Sequence, residues 1–281
     1  MEMIKSKILH YLNHLQDVDY LAEIVNSVSD TELCNIINEL LQSEDDEIIG
    51  STCLFIRDLL VLGSRPHNSE KFVKGYPESS IVENLEQLLF SPNHFTRKQV
   101  VYTLGKACSY SSTKVLNQAF NVFRDTDPIL LPRLIGEMAW LGAENLWALL
   151  DSMMSSFLYM TRWAVVDVLS EFVGDDAQVK DKLFQSKLRY TEQLRQDSNI
   201  LIQSEAEWEY QLLQFRSSTY NLPRAERKKK RKDLERQYKP AFSYTRISSA
   251  FTNHLHTNGL TQYSVAELDA FILDMTQAKH L

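Results

Sequence analysis

From Gly174 to Pro223 the chain contains no other glycine and no proline. Those two residues punctuate strands and hairpins, because turns need positive φ or a φ fixed in advance. A stretch this long without them favours helix. The rest of the chain agrees: eight glycines and seven prolines in 281 residues are too few for the turns of an all-β fold. No segment alternates apolar and polar residues as a half-buried strand does. The expected fold class is all-α. The length suits one large or two ordinary domains, and 44% apolar residues suffice for a real core.

Several helix starts are written out. Ser29…Glu32, Ser80…Glu83 and Ser264…Glu267 have the spacing of capping boxes, in which serine accepts the third helical N–H and glutamate reaches back. Ser91-Pro92 and Asp127-Pro128 place a capping residue before proline at the first helical position. Helical periodicity runs over 3–15, 18–27, 30–42, 46–62, 80–90, 93–108, 112–124, 128–141, 143–155, 158–173, 177–216, 223–238, 243–257 and 264–279. One long irregular connection, Gly63 to Ser79, interrupts the series.

A loose repeat is visible. Segments starting at Asp46, His94, Pro128 and Leu158 each follow a short polar turn, run apolar and end in a small or polar junction. Arg97, Arg133 and Arg162 sit near the start of three of them. With "Arg97…Val-Val-Tyr-Thr-Leu-Gly105", this pattern resembles the HEAT superfamily of antiparallel helix pairs. The resemblance implies an irregular α-α superhelix over 1–176 whose concave face binds a partner. On that reading the partner-binding residues are Arg97, Tyr102, Arg133, Glu137, Trp140, Arg162 and Trp163 on the inner helices. Charge reversal at Arg97, Arg133 and Arg162 together is then expected to abolish capture without lowering the melting temperature.

The C-terminal third differs. One long helix over 177–216 has apolar positions near heptad spacing, interrupted by Asp197 and Glu205. It defines a connecting segment, 177–222. Residues 223–281 form a basic helix and a helical hairpin, with Phe242, Ile247, Phe251, Leu255, Leu268, Phe271, Ile272 and Met275 as the hairpin's core. In the basic run, eight of the thirteen residues from Arg224 to Arg236 are Lys or Arg. The alternative function is nucleic-acid binding through Arg227, Lys228, Lys229, Lys230, Arg231, Lys232 and Arg236. The aromatics flanking the run, Trp208, Phe215, Tyr220, Tyr238, Phe242 and Tyr244, would stack on unpaired bases. Charge is split: residues 1–185 carry 15 basic against 26 acidic side chains, and residues 186–281 carry 15 against 11.

Catalytic motifs are sparse. Trp163-Ala-Val-Val-Asp167 is similar to a pattern in the HEAT-repeat alkylpurine DNA glycosylases. It implies a carboxylate supporting departure of a cationic base, with aromatics holding the lesion. That family's basic character and second Trp/Arg cluster are missing from this sequence. His10 and His14, four apart, make a two-ligand face without an evident third ligand. Cys34, Cys53 and Cys108 are too widely spaced for a zinc site and odd in number, so they read as reduced buried thiols. No GxGxxG, P-loop or GxSxG occurs. The Met1 region lacks a signal-peptide apolar stretch, and no run reaches a membrane span. The sequence therefore reads as a cytoplasmic, non-catalytic adaptor for another protein, with no cofactor and no metal.

Overall fold

The structure, a computed structural model, describes residues 2–11, 17–63, 80–107, 112–172 and 182–277. Among them are fifteen α-helices and no strand. They are α1 Glu2–Leu9, α2 Val18–Asn26, α3 Asp30–Leu41, α4 Asp46–Gly63, α5 Ser80–Leu88, α6 His94–Lys106, α7 Thr113–Phe123, α8 Leu131–Trp140, α9 Leu146–Met154, α10 Tyr159–Glu171, α11 Lys182–Leu194, α12 Ile200–Thr219, α13 Arg224–Tyr238, α14 Tyr244–Thr257 and α15 Val265–Gln277. A 3-10 turn, Pro128–Leu130, leads into α8. His14, Cys108 and most of the Gly63–Ser79 connection lie outside the described residues. No described helix is long and apolar enough to cross a membrane.

The capping box at Ser29 is made in both directions: Ser29 Oγ accepts Glu32 N–H, and Glu32 accepts Ser29 N–H. Ser264 and Glu267 repeat it at α15. Ser80 is itself the first residue of α5, and its hydroxyl accepts the Asn38 amide. Ser91 is not the cap of α6. Asn93 is, because its Oδ1 accepts Phe95 N–H at 2.8 Å and Thr96 N–H at 3.4 Å, while Pro92 stays outside the helix.

The chain divides into two compact units, Met1–Val122 with Arg133–Glu144, and Phe123–Pro132 with Asn145–Leu281. In the first unit α3, α4, α5 and α6 pack on one another around Leu33, Ile36, Ile37, Phe55, Ile56, Leu85, Val100 and Leu104, all fully buried. Each such aliphatic side chain contributes about 1.5–3 kcal/mol of transfer free energy. In the second unit α10 packs against α9, α12 and α14, and α12 against α11 and α13.

Of the expected single helix over 177–216, residues 177–181 lie outside the described residues, and the rest is two helices, α11 and α12, packed on each other. The break lies at Asp197–Asn199. Asn199 Oδ1 caps α12 by accepting Leu201 N–H at 2.9 Å. Asp197 accepts Asn199 N–H at 2.8 Å and forms a two-point ion pair with Arg162 of α10, at 2.7 and 3.0 Å. Folding the segment back buries both apolar faces, which a straight helix leaves half exposed.

The C-terminal hairpin forms as expected. Phe242, Ile247, Phe251, Leu255, Leu268 and Ile272 are buried; Phe271 and Met275 are half-buried. Gly259, at φ 64°, ends α14 in a Schellman turn in which Leu260 N–H donates to Leu255 C=O.

Two junctions, one in each unit, are built from matching hydrogen bonds. In the first, Arg97 Nη1 donates to the carbonyls of Ser91 and Pro92 at 2.6 and 2.8 Å. Ser91 Oγ accepts Asn93 N–H, and the Thr96 hydroxyl donates to Asp46. In the second, Arg162 Nη1 donates to the carbonyls of Ser156 and Phe157 at 2.8 and 3.2 Å. Ser156 Oγ accepts Leu158 N–H, and the Thr161 hydroxyl donates to the Arg124 carbonyl at 2.7 Å with Asp125 Oδ1 at 3.1 Å. Each arginine satisfies the orphan carbonyls of the turn before its own helix.

Candidate partner-binding face

Tyr102 on α6 lies half-buried in the first unit with three cations around its ring. The guanidinium carbons of Arg57 and Arg133 each stand 4.6 Å from the ring centroid, and Lys106 Nζ stands 5.4 Å from it. Lys106 Nζ is also 5.3 Å from the ring of Trp140, whose residue is 67% exposed. All four distances are in cation–π range. Helix geometry assembles the set: Tyr102 and Lys106 are one turn apart on α6, and Arg133, Glu137 and Trp140 share a face of α8.

Glu137 is the buried carboxylate facing the three cations, and Asp58 acts on Arg57 as well. Glu137 is only 5% exposed and takes Arg133 Nη1 at 3.2 Å. Burial pushes its carboxyl above the usual range, and Arg133 opposes that shift. Burial pushes the Arg57 guanidinium below its ordinary value, and the Arg133 charge adds to the effect. The arrangement is a cationic patch with an exposed indole above it and little slack beneath.

Gly105 makes the close packing feasible. A Cβ there would collide with the Glu137 side chain. Gly105→Ala is expected to lower stability by about 1–3 kcal/mol, the usual cost of overpacking. A urea melt reads this directly, and an unchanged midpoint would mean that Glu137 does not rest against Gly105.

The structure therefore brings together Tyr102, Arg133, Glu137 and Trp140, and adds Arg57 and Lys106, which the sequence reading missed. Arg57 sits in an ordinary apolar helix pattern, and only the tertiary fold reveals that it faces Tyr102. Three expected members lie elsewhere. Arg97 is 7% exposed and is committed to backbone carbonyls. Arg162 and Trp163 belong to the second unit, where Arg162 closes a turn and Trp163 is fully buried. Reversing Arg97 and Arg162 is now expected to lower the melting temperature, because each guanidinium holds two carbonyls of the turn before its own helix.

Trp163 Nε1–H donates to Glu205 Oε2 at 2.5 Å, and Tyr244 N–H donates to the same oxygen at 2.7 Å. Burial raises the Glu205 carboxyl to about 8, and the two donated hydrogen bonds oppose the rise. With its ring fully covered and its N–H spent, Trp163 cannot stack on an extruded base as the glycosylase resemblance implies. Asp167 lies at a neighbouring cleft of about 420 Å³, lined also by Trp208, Glu209, Lys239 and Arg246, and it accepts the Thr245 hydroxyl.

Among the basic-run flanks, Phe242 and Tyr244 are buried and unavailable for base stacking, whereas Tyr220 is exposed. The eight basic residues of α13 are all exposed. His10 Nδ1 is hydrogen-bonded to the Ser6 carbonyl at 2.7 Å. Cys34 and Cys53 are free thiols, and burial pushes the Cys53 thiol up to about 12.

No protein-family profile matches the chain, and no curated protein matches it. A solved structure of an engineered protein gives a TM-score of 0.42 at 14% identity, over 76% of this chain and 97% of that one.

Proposed function

We propose that the chain is a non-catalytic adaptor of HEAT type that binds an acidic surface of another protein through the face formed by α4, α6 and the Arg133–Trp140 stretch of α8. The observation that carries this reading is the convergence of Arg57, Lys106 and Arg133 on Tyr102 beneath an exposed Trp140. Interface centres are rich in Trp, Tyr and Arg, because such groups give large rigid contact area at small entropic cost. The matched turns at Arg97 and Arg162 support the repeat assignment. Expected ligands are carboxylate-rich, since three cations face one buried carboxyl.

The test has two stages. An affinity capture from host lysate, with and without nuclease, identifies a direct protein partner by mass spectrometry. Its binding to the purified chain is then measured for the wild type and for Trp140→Ala. The indole makes mainly surface contacts, so the melting temperature should hold while affinity falls about 30-fold, the loss expected of a hot-spot residue. Equal affinity for the wild type and Trp140→Ala would remove this face from the interaction.

A further inference from the structure

Among the described helices, α13 is the one with no buried residue. Globular helices are held by an apolar stripe at positions i, i+3, i+4, i+7 and i+8. In α13 that pattern is occupied by Arg224, Arg227, Lys228, Arg231 and Lys232. The cations thus take the geometry that apolar residues take elsewhere. Much of the acidic content is turned to the other side, where Glu226 pairs with Lys230 at 3.3 Å and Asp233 with Arg236 at 3.5 Å. Glu235 reaches into the stripe and meets Arg231 at 3.0 Å. Arg224/Lys228, Arg227/Arg231 and Lys228/Lys232 are like charges one turn apart, and such pairs destabilise an isolated helix. A polyanion lying along the stripe relieves that repulsion.

We infer that α13 is a binding site for the phosphate backbone of nucleic acid, gripping it without regard to sequence through Arg224, Arg227, Lys228, Arg231 and Lys232. The stripe, from Arg224 to Lys232, spans about 12 Å at a rise of about 1.5 Å per residue. Phosphates of one strand succeed each other every 3.4 Å or so along a duplex axis, so three or four fall within its reach. The stripe carries no Asn or Gln to read adenine, and the nearby Gln237 amide is hydrogen-bonded to the Tyr238 hydroxyl. Tyr220, 60% exposed, stands just before the helix. An anionic membrane is the poorer fit. A helix that binds membranes needs an apolar face to enter the interface, and only Ala225, Leu234 and Tyr238 are apolar here. The negative net charge of the whole chain does not oppose this, because charges beyond a Debye length of about 10 Å are screened.

The experiment is fluorescence anisotropy of the full chain with a labelled duplex of about 24 base pairs and a single strand of the same length, from about 50 to 300 mM KCl. The wild type should bind both with micromolar affinity at low salt, and the dissociation constant should be equal for AT-rich and GC-rich duplexes. The logarithmic salt slope on the duplex should be about −3 to −4, from roughly four neutralised phosphates. A variant with Arg224→Gln, Arg227→Gln, Lys228→Gln, Arg231→Gln and Lys232→Gln keeps good helix formers. It should lose at least 30-fold in affinity and most of the slope. Lys230→Gln, on the paired side, should cost less than threefold. Two arms run in parallel: phosphatidylserine vesicles and poly-glutamate. Absence of nucleic-acid binding at low salt, equal binding by the five-site variant, or tighter binding to vesicles or poly-glutamate than to the duplex overturns the assignment. Circular dichroism confirms that the variant is folded. Should it be unfolded, charge-neutralising the stripe in pairs (Arg224→Gln with Lys228→Gln, then Arg227→Gln with Arg231→Gln) gives the same reading.

Discussion

Arg162→Ala is expected to destabilise the protein by about 3–5 kcal/mol, the cost of breaking an enclosed ion pair and orphaning its partners. The side chain makes two bonds to Asp197, which closes the turn between α11 and α12, and two to the carbonyls of Ser156 and Phe157. Removing it leaves the Asp197 carboxylate with Asn199 N–H in place of three donated bonds, and takes a donor from each of two carbonyls. The Asp197 side chain is 8% exposed, so water restores little of what is lost. Arg162→Lys should recover less than half of the deficit, because an ammonium cannot span the planar two-point contact. Arg162 hydrogen bonds hold the Asp197 carboxyl below the usual range against the opposing effect of burial. A carboxylate with a depressed folded pKa stabilises above its unfolded value and loses that stability as pH falls through the folded one. The wild type should therefore weaken relative to Asp197→Asn below about pH 4. Chemical denaturation as a function of pH measures all three variants. A midpoint for Arg162→Ala within about 1 kcal/mol of wild type would show that the turn does not depend on this residue.

Glu205 gives the second large effect, with the opposite sign in pH. Glu205→Ala leaves two buried donors, Trp163 Nε1–H and Tyr244 N–H, without an acceptor. At about 1–3 kcal/mol for each unsatisfied group, the expected loss is about 3–5 kcal/mol. Glu205→Gln keeps an acceptor and removes the charge. The folded carboxyl titrates near 8, above its ordinary 4.5, chiefly through burial. A raised folded pKa means that the unfolded chain releases its proton first. The group's contribution is whole below about pH 4.5 and is lost as pH rises toward 8, by on the order of 4 kcal/mol. The stability gap between Glu205→Gln and the wild type should thus be small at pH 5 and should widen in favour of the glutamine variant by pH 8. A gap independent of pH across that range would mean that Glu205 is ionised in the folded state.

Both residues had left marks in the sequence that admitted a second reading. Asp197 and Glu205 are the two positions that spoil the heptad pattern of 177–216, and they read there as faults in a coiled coil. In the folded protein Asp197 stands in a turn and Glu205 in a three-helix junction between α10, α12 and α14. Likewise Arg97, Arg133 and Arg162 looked equivalent as arginines near repeat starts. The two that close turns follow a threonine, Thr96 and Thr161, with a serine six residues before the arginine. Arg133 follows Pro132 and is exposed. The serine and threonine were the discriminating signal, because their hydroxyls complete the same junction.

Helix content, most helix limits and the cationic stripe of α13 are properties of the sequence itself. Periodicity, capping side chains and scarce turn residues act within a few positions of one another, and so can be read along the chain. The grouping of Arg57, Lys106 and Arg133 on Tyr102, the burial of Trp163 and the fold-back at Asp197 were decided only by tertiary structure. Lys106 is one helical turn from Tyr102, but every other one of these contacts joins residues about 30 to 45 positions apart in the chain. Whether a polar side chain faces water or a buried donor depends on how the helices pack, which no local pattern records.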